Sequence, residues 1–146
     1  MALSWHDLIL PEDAVDEQAV LEAWSFIMDK PMEGIVLASA FGDCFFQGQD
    51  EAIYFLDMTE GTFQKVLDKA DDLEEALKNP DLLNEWFMPD ILAELLATMP
   101  MRNRMSSYST KLLPALGGKY EQGNYQLSSH KEHSQKCADF FRKHKG

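Results

Sequence analysis

Cysteine is scarce. Cys44 and Cys137 stand far apart and form no Cys-x-x-Cys pair, which excludes a disulfide scaffold and leaves two reduced, packed thiols as the expectation. Basic residues are also few: 13 Lys and Arg stand against 25 Asp and Glu, a formal net charge of −12. The imbalance is concentrated, with 22 acids and 4 bases in residues 1–100 but 3 acids and 9 bases in residues 101–146. A surface of that sign repels phosphate backbones and attracts cationic partners, so direct nucleic-acid binding is disfavoured for the N-terminal two thirds. Long apolar runs are missing too. The longest candidate, residues 91–99, has about half the length needed to cross a bilayer and contains Glu94. The opening MALSWHDLILPEDAVDE has no basic n-region, so a cytoplasmic location without membrane contact is expected.

Catalytic signatures are equally sparse. There is no Gly-x-Ser-x-Gly elbow and no Cys–His nucleophile context. The segment Ala115-Leu-Gly-Gly-Lys119 fails the phosphate-loop pattern, because Leu113 stands where an earlier glycine is needed and Tyr120 where Ser or Thr is needed. The expectation is a non-enzyme without a cofactor.

What is present is a chain of 146 residues, 45% hydrophobic and 11% aromatic, which suits one domain with a single core. Apolar residues at helical spacing over 12–28, stopped before Pro31, predict an N-terminal helical segment within residues 1–30. Residues 35–40 read as a short strand. Residues 44–47, 52–57 and 62–66 are β-rich runs separated by Gly48-Gln49-Asp50 and Thr59-Glu60-Gly61, which predicts an antiparallel meander. Both faces of Ile53-Tyr54-Phe55-Leu56 are apolar, placing that strand mid-sheet, covered by helices on one side and by the tail or a partner on the other.

A helix follows from Asp71, its acids suited to the helix start, with a break at Asn79-Pro80 and another helix from Pro89 to Pro100. Residues 101–128 read as loop, with a last short strand at Tyr125 and Leu127. Ser129 and Glu132 have capping-box spacing and open a C-terminal helix over 128–145 that ends in Arg142, Lys143 and Lys145. The predicted fold class is α+β: a small antiparallel meander packed with several helices.

Two constellations stand out. His130, His133 and Cys137 share one face of the last helix, but no fourth ligand is evident, so no metal is expected. Asp43, Asp50, Glu51, Asp57 and Glu60 fall at meander turns and strand ends, and Asp71, Asp72 and Glu75 at the following helix start. These eight carboxylates are the expected contact surface for a cationic protein.

The motif order Phe41-Gly42-Asp43, Phe45-Phe46, Tyr54-Phe55-Leu56-Asp57, then Pro114, Leu116, Gly117 and Gly118, with Asn124, His130 and Gln135, resembles the C-terminal domain family of type VI secretion immunity proteins. The likeness spans residues 35–136; the GAD-like domain that often precedes such domains is absent here or shrunk to residues 5–28. The resemblance implies a protein that binds and blocks a cognate secreted toxin, frequently a nuclease, with no catalytic residues of its own. A monomer and a homodimer both fit. The alternative is a regulatory or scaffold module of the same fold, associating through Tyr54, Leu56 and Trp86.

Overall fold

Residues 32–67 form a four-stranded antiparallel meander: β1 (Met32–Ala38), β2 (Cys44–Gly48), β3 (Ile53–Asp57) and β4 (Thr62–Leu67), side by side in chain order. The computed structural model describes residues 3–100 and 106–144. The turns act as the composition requires. Gly61 adopts φ +71°, and a Cβ there would stand 2.5 Å from the Phe141 ring, so the β3–β4 turn needs glycine on both counts.

Successive side chains of a strand point to opposite faces. Phe45 and Phe55, opposite one another in β2 and β3, face α4 (Pro80–Phe87), where Phe45 meets Trp86 edge-on at 5.1 Å and stacks on Phe87 at 5.8 Å. Cys44 faces the other way, towards α6 (His130–His144). Helices therefore cover both sides of β3, whose Ile53, Tyr54, Phe55 and Leu56 are all buried. The tail supplies one of these covers. Tyr54, Leu56 and Trp86, expected as a self-association patch, are buried in the chain's own core and offer no such surface.

The remaining elements are α1 (Trp5–Leu8), α2 (Glu17–Ala23), α3 (Leu73–Ala76), α5 (Pro89–Thr98), β5 (Ser106–Thr110) and β6 (Tyr125–Ser129). The first predicted helix is shorter than residues 12–28. Asp16 caps α2 by accepting from the Ala19 amide at 3.1 Å, and residues 12–14 form a separate 3-10 turn. Beyond Ala23 tertiary bonds take over from helical ones: the Trp24 indole donates to Ser134 at 3.0 Å and Arg142 donates to the Ala23 carbonyl at 3.1 Å. The helix expected from Asp71 likewise starts as a 3-10 turn over Ala70–Asp72 and continues as the single turn of α3. Pro89 opens α5 as predicted; Pro80, expected only as a break, opens a separate helix, α4, which Asn79 caps by accepting from the Asp81 amide at 2.9 Å.

β5 corrects the loop expected over 101–128, of which residues 101–105 lie outside the described residues. Its sequence Ser-Ser-Tyr-Ser-Thr has one large apolar residue and no hydrophobic alternation, yet it pairs antiparallel with β6. The pairing is supported by Ser109, which approaches the Ser128 hydroxyl at 3.0 Å, and by Tyr108, fully buried, whose hydroxyl donates to the Met99 carbonyl at 2.6 Å. Tyr108 also donates its amide to the Ala40 carbonyl, joining this ribbon to the meander. Ser129 caps α6 through the Glu132 amide, while Lys145 lies outside the described residues.

Candidate acidic interface and the buried histidine cluster

A meander brings alternate turns to the same end. The β1–β2 and β3–β4 turns therefore gather Asp43, Asp57 and Glu60, whereas Asp50 and Glu51 lie at the opposite end on the β2–β3 turn. The Glu51 carbonyl accepts from the Ala70 amide at 2.8 Å, tying that second end to the turn that carries Asp71 and Asp72 and leads to Glu75. The eight predicted carboxylates thus divide into two groups.

The first group turns inward at Asp43 and Asp57. Asp43 is 5% exposed and accepts from the Met58 amide at 2.9 Å, so it is a structural carboxylate and not part of a rim. Burial, then the neighbouring Asp57 charge, pushes its pKa well above the ordinary carboxylate range. Asp57 is half-buried and accepts from the Glu60 amide at 3.1 Å; burial raises it too, with Glu60 adding to the effect. Glu60 is exposed and accepts from the Tyr120 hydroxyl at 2.5 Å. Because the ionised form of Asp43 is the costly one, Asp43→Asn should equal or exceed the parent's stability at pH 7, and its advantage should shrink as pH falls and Asp43 protonates. Asp43→Ala should instead lose about 1–3 kcal/mol by leaving the Met58 amide unpaired. Urea unfolding at pH 7 and pH 5 distinguishes the two.

The second group turns outward. Asp50 accepts from the Tyr54 hydroxyl at 2.7 Å, which holds its carboxyl below the usual range, and from the Ala52 amide at 3.2 Å. Glu51, Asp71, Asp72 and Glu75 are exposed, and the single ion pair among them, Glu75 with Lys78 at 3.7 Å, is solvated on both sides and worth little. Next to Asp71 an open cleft of about 700 Å³ is lined by Trp5, Leu8, Leu73, Leu77 and Leu83, with Asp71 and Glu74 also on its walls. Trp5 is 44% exposed while its ring meets Phe87 edge-on at 5.6 Å, so it is both anchored and available. Sequence reasoning missed this cleft; the available signal was Trp5 and Leu8, three residues apart on one face of α1.

His130, His133 and Cys137 do share one face of α6, and that face is buried. His130 donates Nε2–H to the Gly42 carbonyl at 2.8 Å, and Cys44 Sγ lies 3.8 Å from the same nitrogen. Cys137 Sγ lies 3.7 Å from His133 Nδ1. Burial lowers both histidines, His133 to about 4, so both are neutral at pH 7. Among the described residues no group of three or more His, Cys, Asp or Glu is placed to hold a metal ion. No helix among them is long and apolar enough to cross a membrane.

No family model and no curated protein matches the chain. The fold is similar to that of Atu4351 from Agrobacterium tumefaciens, with a TM-score of 0.57 at 13% identity, over 85% of this chain and 64% of that one. The likeness is one of fold. This α+β chain spans under two thirds of the length of the protein it matches. Exposed carboxylates next to an apolar cleft suit contact with a surface that is both cationic and apolar.

Proposed function

We propose that this protein is an immunity protein that binds and neutralises a cognate type VI-secreted antibacterial toxin, one that acts on nucleic acid or nucleotides and so presents a cationic surface. The observation that carries the reading is the exposed carboxylate group of Glu51, Asp71, Asp72 and Glu75 next to the Trp5 cleft. Opposite charge steers encounter and raises association rates, while an aromatic anchor in a desolvated pocket slows dissociation. The order of motifs over residues 35–136 supports the same reading.

Capture of a toxin-like protein by the tagged chain from its native host tests it directly, and recovery of none would overturn it. With the captured toxin, simultaneous Glu51→Lys, Asp71→Lys, Asp72→Lys and Glu75→Lys should slow association about 10- to 100-fold at low ionic strength. The parent rate should fall steeply with salt and the variant rate should not. Stopped-flow rates that are equal for the two proteins would place the interface elsewhere.

A further inference from the structure

A second, smaller cavity of about 200 Å³ lies between the β3–β4 hairpin and α4, lined by Phe55, Asp57, Thr62, Gln64, Trp86 and Glu85 among others. We infer that this cavity is the receptor for one arginine side chain of a protein partner, its guanidinium held by the Asp57 and Glu85 carboxylates above the Trp86 and Phe55 rings. The inference rests on the reading of the chain as a binder of a cationic protein, and it locates a specific contact for that partner.

Four observations select this occupant. The cavity is far larger than the roughly 30 Å³ a water molecule takes up in the liquid, so it admits a side chain. Two carboxylates reach it from different elements, and neither forms an ion pair among the described residues, whose pairs involve Asp68, Glu75, Asp16 and Asp139. Its floor is aromatic and fixed: Trp86 and Phe55 are 4% and 6% exposed, and both rings pack on Phe45. Thr62 and Gln64, exposed on β4, line the same cavity and add polar groups at its rim.

A compact metal ion does not fit, since no metal-spaced cluster exists among the described residues. A guanidinium does. It is planar and weakly hydrated, donates in two directions at once, and stacks on aromatic faces. Asp57 Oδ1 accepts from the Glu60 amide, which fixes the carboxylate at the cavity wall.

The test is an NMR titration of the full chain with L-argininamide and, in parallel, with neutral L-citrullinamide. Saturable shifts are expected at the Thr62 and Gln64 amides and at the Trp86 indole, with an apparent Kd on the order of millimolar for so small a ligand. Citrullinamide should produce none. Asp57→Asn and Glu85→Gln should each weaken argininamide about tenfold; Glu85 is exposed on α4, so its variant retains the fold whatever the first one does. Shifts that are absent, confined to the Trp5 cleft, or equal for both amides would overturn the inference. The titration needs no toxin. Failed argininamide binding with intact toxin capture removes this contact alone, and failed capture with intact argininamide binding removes the immunity reading alone.

Discussion

Replacing Phe45 with alanine is expected to cost about 3–5 kcal/mol of folding stability, the range for emptying a large aromatic site in a packed core. Phe45 is fully buried in β2 and meets three rings: Phe55 at 4.7 Å, Trp86 at 5.1 Å and Phe87 at 5.8 Å. It is the side chain by which the meander holds α4, so its loss frees the helix as well as the sheet face. Such a loss is a large share of the roughly 5–15 kcal/mol that a domain possesses. The thermal midpoint should fall by about 10 °C or more. Phe45→Leu, which keeps most of the volume, should lose less than half as much. Thermal unfolding of the three proteins in one buffer measures this, and a midpoint for Phe45→Ala within a few degrees of the parent would show that the rings are not held as described.

Acid should weaken the fold through His133. Its folded pKa is lowered to about 4 from an ordinary 6.5, because burial, then the neighbouring His130, disfavours the cation. A lowered histidine contributes stability that is fully present above pH 6.5 and is lost as pH falls towards 4. Each tenfold change in an acid's ionisation constant is worth about 1.4 kcal/mol, so the loss from this group is roughly 3 kcal/mol. His130 works in the same direction, whereas Asp43 and Asp57 oppose it, since their raised pKa values make protonation favourable to the fold. His133→Gln isolates the effect: the stability difference from the parent should change by about 3 kcal/mol between pH 7 and pH 4. Urea unfolding at pH 7, 5.5 and 4 reads it. A constant offset across that range would mean that His133 is not titrating from a buried site.

The meander was legible in the sequence because its strands are short apolar runs fenced by glycine turns, and α5 because Pro89 marks its start, whereas Pro80 was legible as a break and not as the start of α4. β5 was illegible. Its partners are hydroxyl groups and a carbonyl, contacts that leave no hydrophobic period to read. α2 was over-extended because the residues after Ala23 have helical spacing, while Arg142 takes the Ala23 carbonyl and Ser134 the Trp24 indole, each more than a hundred positions away. The carboxylates were legible as residues and not as a site. Composition marks Asp43 and Asp71 as equal acids, yet one accepts a core amide and the other stands in solvent, a distinction made by strand pairing. The cleft at Trp5 depends on which helices meet and the cavity at Glu85 on how α4 meets the β3–β4 hairpin, and neither meeting is written in a local pattern.

The clasp between α6 and the earlier chain bears on how the molecule is made. Trp24 to Ser134 and Gly42 to His130 join positions 110 and 88 residues apart. During synthesis, at about 5–20 residues per second, the whole meander leaves the ribosome several seconds before its lid does. For that interval the nascent protein carries an uncovered indole and thiol, so nascent-chain protection from proteases should appear abruptly, once α6 has cleared the exit tunnel, rather than strand by strand.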